Sequence, residues 1–170
     1  MLNSANNQPK IETYSIIKQE LQALLSGENN FISILANTSA LIYNKLENIN
    51  WAGFYLLYKN TLKLGPFQGK VACQNIPLGK GVCGNAAIAK KTLLVENVHA
   101  FNGHITCDIN TNSEIVLPLI IQEQVIGVLD IDSPILARFN SKDQQGLQEI
   151  VNVLCEKLSY TNIVSFLQDN

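Results

Sequence analysis

The stretch EIVLPLIIQEQVIGVLDID, residues 114–132, decides the fold of this chain. It holds two apolar runs rich in β-branched residues, 115–121 and 125–132, separated by the polar triplet Gln122-Glu123-Gln124. Two such runs across a short polar connection are typical of a β-hairpin. The sequence therefore predicts that these residues form the last antiparallel pair of strands in the domain.

A second apolar segment lies upstream, at residues 51–58 (WAGFYLLY). Because it is apolar at both alternating positions, we expect a central strand that is covered on both faces. Shorter strands are predicted at 61–64, where Gly65-Pro66 ends the run, at 71–73 and at 92–95. These strands would extend the sheet that the hairpin begins.

Helical periodicity marks the segments around the strands. Apolar residues recur at helical spacing over 14–25 and 31–46, and a helix of small residues is predicted at 82–90. The clearest helix begins at the capping-box pattern Ser141-Lys142-Asp143-Gln144 and runs to 158. This order predicts a mixed α+β fold, with a central antiparallel sheet flanked by N-terminal helices and a C-terminal helix.

Length and composition narrow the function classes. The chain has 170 residues, a net charge of -2 and 15% charged residues, and its densest basic cluster is Lys90-Lys91. Nucleic acid is therefore not expected as a partner. No secretory signal is visible, and the longest apolar run, 115–121, is too short for a membrane span. We expect a cytoplasmic protein, whose cysteines do not form a structural disulfide framework.

Three acidic residues are predicted to converge at one end of the hairpin. Asp130 and Asp132 are two apart on one strand, which places both on one face with Cα atoms about 6.5 Å apart. Glu114 opens the partner strand and would lie at the same end. Such carboxylates repel unless a cation compensates, so they would receive an ammonium group or a metal ion. A turn-capping role for Asp132 stays open.

Trp51 and Tyr55 share a strand face, either as core residues or as an aromatic wall around a small apolar group.

The segment 96–113 lacks both helical and alternating periodicity. It contains His104, Cys107 and Asp108, whose side chains can take part in chemistry. Connections of this length inside a compact domain are usually functional or disordered. Because the segment also holds apolar residues at 98, 101 and 105, we expect an ordered functional loop.

The cysteines divide by position. Cys155 lies beside the apolar stripe of the last helix and fits a core role. Cys73, Cys83 and Cys107 fall at turns or helix ends, and Cys83 lies in a first helical turn, where the dipole can lower the pKa of a thiol. These three thiols could bind zinc together with His104, but zinc ligands usually come in close pairs. Dithiol redox chemistry suits dispersed cysteines better.

Four motifs together resemble a known family: GKGVCG at 79–84, VHAFNGHITCD at 98–108, NSEIVLP at 112–118 and GVLDIDS at 127–133. In these motifs and in its cysteine spacing, the chain resembles the GAF-domain free methionine-(R)-sulfoxide reductases over residues 50–158. The resemblance implies one GAF domain over residues 1–170, with its core at 28–160.

The same resemblance implies a substrate and its binding residues. The substrate would be free L-methionine (R)-sulfoxide. Glu114, Asp130 and Asp132 would hold its ammonium group and help to protonate the sulfoxide oxygen. Trp51 and Tyr55 would enclose its S-methyl group.

The resemblance also implies a catalytic cycle. Cys107 would attack the sulfoxide sulfur and become a sulfenic acid, and Cys83 or Cys73 would convert it to a disulfide that thioredoxin reduces. The roles of Cys107 and Cys83 could be exchanged. Neither a metal nor an organic cofactor is implied, whereas a homodimer is. The alternative is a non-catalytic GAF sensor of a small ligand, because the fold alone does not determine the function.

Overall fold

The structure is a computed structural model that describes residues 8–103, 105 and 107–168. His104, the candidate zinc ligand, lies outside the described residues. The elements are α1 (Gln8–Leu25), α2 (Phe31–Lys45), β1 (Trp51–Tyr58), β2 (Thr61–Gly69), β3 (Asn75–Pro77), α3 (Gly81–Ala89), β4 (Leu93–Val95), β5 (Ser113–Ile121), β6 (Gln124–Ser133), α4 (Ser141–Leu158) and α5 (Ile163–Gln168). None of the helices in this described part of the chain is long and apolar enough to cross a membrane.

The strands form one antiparallel sheet in the order β3-β2-β1-β6-β5-β4. The predicted hairpin is β5 and β6, but its turn is shorter than the predicted triplet because Gln124 already belongs to β6. Gln122 and Glu123 have φ angles of 50° and 65°, which is the geometry of a two-residue hairpin turn. This tight turn fixes which residues of β5 and β6 lie opposite each other.

Alternation along the strands gives the sheet two different faces. The helical face packs against α1, α2, α4 and α5, and its fully buried strand residues include Ala52, Phe54, Ile115, Leu117, Leu119, Leu129 and Ile131. The opposite face, here called the site face, packs against α3 and the loop before β5, and it carries Trp51, Tyr55, Val116 and Val128. The predicted cover of β1 on both faces is confirmed.

β2 continues through the Gly65-Pro66 dipeptide that the sequence predicts as its end. The register between β1 and β2 shifts beside this dipeptide, as in a β-bulge. A bulge leaves residues outside the hydrogen-bonded ladder, so the missing N–H of Pro66 costs no strand pairing there. The prediction of a short second strand is therefore wrong in its length.

Residues 71–73 are irregular rather than the predicted strand, and β3 lies further along the chain. Two side chains of β1 bind carbonyl groups at the two ends of residues 70–73. The Tyr55 hydroxyl donates to the carbonyl oxygen of Cys73 (3.0 Å), and Trp51 Nε1 donates to that of Lys70 (3.1 Å). These bonds fix the segment on the site face without a strand partner.

The helix predicted at 141–158 is confirmed, but its N-cap is Asn140 and not Ser141. Asp143 accepts a hydrogen bond from the backbone N–H of Asn140 (2.8 Å), which completes a capping box. The same carboxylate binds Tyr14 (2.8 Å) and Lys10 (2.7 Å) of α1. Burial raises the pKa of Asp143, but these partners outweigh it and hold the pKa below its ordinary value. The cap thus also joins α4 to α1.

Candidate active site

Three carboxyl groups meet on the site face at the end of the hairpin. Glu114 pairs with Asp132 across β5 and β6, and Asp132 pairs in turn with Trp51 on β1. Asp130 lies two residues before Asp132 and projects from the same face. One carboxylate oxygen from each acid lies within 4.8 Å of the others. The hairpin register thus brings together the three acids singled out from the sequence, here called the acid cluster.

Glu114 and Asp130 of the acid cluster are buried, Asp132 is partly buried, and the pKa of all three carboxyl groups is raised. Glu114 and Asp130 are only 6% and 7% exposed, and Oδ1 of Asp130 has no hydrogen-bond partner among the described residues. Burial raises the pKa of Asp130 to about 7, although a hydrogen bond with Cys83 acts in the opposite direction. Burial and the neighbouring carboxylates also raise the pKa of Glu114 and of Asp132 well above the ordinary range. The cluster can therefore donate a proton near neutral pH or accept a cation in its place.

Aromatic side chains stand beside the acid cluster. Trp51 stacks on Tyr55 with ring centroids 5.8 Å apart, and on Phe67 at 5.2 Å. Gly53 permits this packing, because a Cβ at that position would collide with Phe67 and approach Trp51 within 2.8 Å. The sequence analysis does not predict Phe67 as part of this group. Phe67 lies beside Trp51 because β2 extends to Gly69, beyond the predicted end of the strand at residue 64. Trp51 and Tyr55 line the space beside the acid cluster as an apolar wall of the kind that suits a small apolar group, and Phe67 supports Trp51 from behind.

Cys73 and Cys107 are joined by a disulfide, with Cα atoms 5.5 Å apart across 34 residues of sequence. The bond links the segment held by Trp51 and Tyr55 to the loop before β5. Cys107 is exposed, and Cys73 is partly buried. Two of the three cysteines predicted to act in redox chemistry are therefore brought together as a pair.

A cavity of about 40 Å³ lies between these groups. Cys107, Cys83, the acid cluster, Trp51 and Tyr55 all line it. In this disulfide-bonded state it has room for a few water molecules. The arrangement places a disulfide-bonded cysteine, three carboxyl groups with raised pKa and an aromatic wall around one small space.

Cys83 is a buried free thiol in the first turn of α3. The expectation that the helix dipole lowers its pKa is wrong. Burial raises the pKa of Cys83 well above its ordinary value, and the nearby carboxylates of Asp130, Glu114 and Asp132 raise it further. Loss of hydration and negative neighbours outweigh the partial charge of a helix end. Cys83 is therefore a neutral thiol that hydrogen-bonds to Asp130.

The remaining cysteine, Cys155, is a free thiol that packs against the core of the helical face. Burial raises its pKa to about 11, which keeps it protonated and unreactive. The alternative zinc set is not assembled in this state, because Cys73 and Cys107 are bonded to each other. Within the described residues, the acid cluster is the group whose ligand atoms lie close enough to hold a metal ion.

Two residues that the sequence did not indicate, Asn50 and Lys70, hold the loop at Cys107. Lys70 Nζ lies 3.6 Å from Asp108 Oδ2, and Asn50 Nδ2 donates to the same oxygen at 3.4 Å. Asn50 Nδ2 also lies 3.3 Å from Thr111 Oγ1. A hydrogen bond from the backbone of Asn110, together with Lys70, lowers the pKa of Asp108 below its usual range. Asn50 immediately precedes β1. Its position next to Trp51 is the feature of the sequence that could indicate Asn50 as a site residue.

Comparison with known proteins shows the family to which the chain belongs. The family profile of the GAF domain matches residues 11–157. The free methionine-R-sulfoxide reductase of Escherichia coli (strain K12) is 52% identical over 157 residues, which cover 92% of this chain and 95% of that protein. The chain belongs to the GAF-domain free methionine-(R)-sulfoxide reductase family. The resemblance drawn from the motifs is thus confirmed, as is the single GAF domain with an antiparallel sheet.

Solved structures of this family have the same fold. The fRMsr of Staphylococcus aureus, in complex with substrate, is 48% identical with a TM-score of 0.82, and the match covers 85% of this chain and 95% of that one. The free methionine-R-sulfoxide reductase of Neisseria meningitidis, in complex with its substrate, is 37% identical with a TM-score of 0.86. That match covers 89% of this chain and 91% of the other.

Proposed function

We propose that this protein reduces free L-methionine (R)-sulfoxide to methionine by thiol chemistry. The observation that carries this proposal is the Cys73–Cys107 disulfide, because Cys107 lines the same cavity as the buried acid cluster. A redox thiol beside a proton source is what the reduction of a sulfoxide requires. The free methionine-R-sulfoxide reductases that share this fold support the choice of substrate.

The acid cluster selects the amino acid through its ammonium group. Glu114 and Asp130 are buried beside the partly buried Asp132, and Oδ1 of Asp130 has no hydrogen-bond partner among the described residues, so it can accept a bond from an N–H donor. An ammonium group compensates the charge of carboxylates that otherwise repel each other. A peptide-bound methionine sulfoxide carries a neutral amide in that place, so it would leave the cluster uncompensated.

The same acids supply the proton that the sulfoxide oxygen needs. A carboxylic acid with a raised pKa is protonated near neutral pH and donates when negative charge develops on the oxygen. Asp130 has a pKa of about 7, which suits this role. Trp51 and Tyr55 form the apolar side of the cavity and receive the S-methyl group.

Two thiols provide the two electrons of the reduction. The Cys107 thiolate attacks the sulfoxide sulfur, the oxygen passes to Cys107, and methionine leaves with a sulfenic acid on the enzyme. The Cys73 thiolate then attacks the Cys107 sulfur, the hydroxyl group of the sulfenic acid takes up a proton and leaves as water, and the disulfide forms. The bond between these two cysteines favours Cys73 as the resolving thiol over Cys83. We assign Cys83 to the hydrogen bond with Asp130.

Thioredoxin would return the disulfide to two thiols by exchange, so the cycle needs neither a metal nor an organic cofactor. A cytoplasmic location fits this cycle, because a reducing compartment regenerates the thiols. We also propose a homodimer, as the family resemblance implies.

The rate at which the protein turns over each of the two sulfoxide epimers tests the proposed function. The purified protein is combined with thioredoxin, thioredoxin reductase and NADPH, and NADPH consumption is followed. We expect consumption with free L-methionine (R)-sulfoxide and far less with the S epimer or with the N-acetylated R epimer. Binding without NADPH consumption would identify a non-catalytic GAF sensor. Comparable turnover of the N-acetylated compound would remove the proposed role of the acid cluster.

A further inference from the structure

The two most exposed large apolar side chains among the described residues are Val71 and Ile109, at 89% and 82%. Exposed apolar residues are common when scattered singly, and then they need no explanation. These two are not scattered, because each lies two residues from one cysteine of the disulfide: Val71 precedes Cys73 and Ile109 follows Cys107.

The disulfide draws the two side chains into one area of the surface. The Cα atoms of Cys73 and Cys107 are 5.5 Å apart. Two residues of fully extended chain span at most about 7 Å, so the Cα atom of each apolar residue lies within that distance of the Cα atom of its cysteine. The Lys70–Asp108 ion pair, at 3.6 Å, joins the residues directly before Val71 and Ile109. The two side chains therefore border the same bond.

The segments that carry these side chains are held in place by bonds to β1 and to Asn50, which directly precedes it. Trp51 and Tyr55 bind the carbonyl groups on both sides of Val71, and Asn50 binds the Asp108 carboxylate beside Ile109. These bonds anchor both segments beside the disulfide, and Val71 and Ile109 remain exposed to water. Exposed apolar surface next to a reactive centre is characteristic of a protein-binding site.

We propose that Val71 and Ile109 form a docking surface for a protein dithiol that reduces the Cys73–Cys107 disulfide. The partner is an oxidoreductase whose reactive cysteine lies in an apolar surface, and this inference rests on the proposed function. The disulfide indicates the kind of partner. A disulfide that forms in each catalytic cycle must be reduced by two electrons before the next cycle begins, so the partner must be a reductant. A small hydrophilic thiol would gain nothing from the apolar side chains.

Reduction at this surface is a thiol–disulfide exchange in two steps. The partner's thiolate attacks Sγ of Cys107, the more exposed of the two cysteines, and the bond to Cys73 breaks. Cys73 leaves as a thiolate, and a mixed disulfide joins Cys107 to the partner. The partner's second thiol then attacks its own bonded sulfur and releases Cys107. The partner leaves oxidised, and this chain has gained two electrons.

The test measures reduction of the disulfide directly and needs no methionine sulfoxide. Oxidised protein is mixed with reduced thioredoxin or with dithiothreitol, and the appearance of the Cys73 and Cys107 thiols is followed by alkylation and mass spectrometry. The variants are Val71→Ser, Ile109→Ser and the double substitution. The control is Tyr160→Ser, since Tyr160 is 76% exposed but follows α4, which packs on the helical face.

We expect the double substitution to lower the second-order rate with thioredoxin about tenfold, while the dithiothreitol rate stays within about twofold. Tyr160→Ser should leave both rates unchanged. Equal effects on the thioredoxin and dithiothreitol rates, or no effect on either, would overturn the proposal. Failure of the proposed function would look different: thioredoxin would reduce the disulfide, and methionine sulfoxide would not be consumed.

Discussion

Glu114 and Asp132 face each other as Cα partners on β5 and β6, and their carboxyl groups share a hydrogen bond. Two carboxylates directly opposite each other repel when both are ionised, so one of them keeps a proton. Asp130 completes the acid cluster without a cationic partner in the described structure. The fold therefore maintains a group of acids that destabilises it, which is common at sites that bind a ligand.

We expect this acid cluster to make the protein less stable as the pH rises. An unfolded aspartate has a pKa of about 3.9, whereas burial raises that of Asp130 to about 7. Between these values the folded chain binds more protons than the unfolded chain, so the free energy of unfolding falls with increasing pH. Asp143, whose pKa is lowered, has the opposite effect, and only at pH values near or below its unfolded pKa.

The variant Asp130→Asn tests this pH dependence. It should unfold at a higher urea concentration than the wild type at pH 8 and at a similar concentration at pH 4.5. Glu156→Gln, on the exposed side of α4, is the matched control and should change little at either pH. A loss of stability for Asp130→Asn at pH 8 would contradict the expectation.

The disulfide predicts distinct outcomes for three cysteine variants. Cys73→Ser should release one equivalent of methionine and then stop, because the sulfenic acid at Cys107 has no resolving thiol. Cys107→Ser should release none, and Cys155→Ser, a core position, should turn over like the wild type. Methionine is quantified by chromatography, and the sulfenic acid is trapped with dimedone and located by mass spectrometry. Sustained, thioredoxin-driven turnover by Cys73→Ser would exclude its resolving role.

The acid cluster could be predicted from the sequence because it depends on local rules. Strand alternation places Asp130 and Asp132 on one face, and a short hairpin turn brings Glu114 to the same end. The order of helices and strands likewise predicts the α+β fold. These features follow from residues that are close in sequence, or from strands that a tight turn connects.

The pairing of Cys73 with Cys107 could not be derived from the residues alone. It depends on Tyr55 and Trp51, which hold the segment 70–73 on the site face, and on an irregular loop without periodicity. The prediction of a lowered pKa for the Cys83 thiol is wrong for a related reason. The local helix start was visible in the sequence, whereas burial among distant carboxylates was not.

The hydrogen bond between Cys83 and Asp130 predicts a shift in the pH dependence of turnover. This bond lowers the pKa of Asp130, so Cys83→Ala should raise that pKa further. If Asp130 donates the proton, the alkaline limb of the kcat profile then moves to higher pH. Cys83→Ser keeps a donor and should keep the wild-type profile. Both variants should still form the Cys73–Cys107 disulfide, and its absence from either would show that Cys83 takes part in disulfide formation.

The ion pair between Lys70 and Asp108 predicts an effect on the rate of disulfide formation. It joins the segment of Cys73 to that of Cys107, so its loss gives the two sulfurs more freedom before they react. Lys70 is largely exposed, and such pairs contribute at most about 1 kcal/mol, so Lys70→Ala should slow the step by no more than about fivefold. Lys70→Arg should restore most of the rate.

Asn50→Ala should slow disulfide formation more than Lys70→Ala does. Asn50 is partly buried, and its side-chain amide contacts both Asp108 and Thr111, so the substitution releases the loop at two points. The rate is measured as the loss of free thiols after addition of one equivalent of methionine sulfoxide to reduced protein. Lys90→Ala, at the end of α3, is the control. Release of methionine should keep its wild-type rate in all these variants, because it precedes the pairing of the sulfurs. An equal slowing of methionine release would show that the contacts act on the attack by Cys107 and not on its resolution.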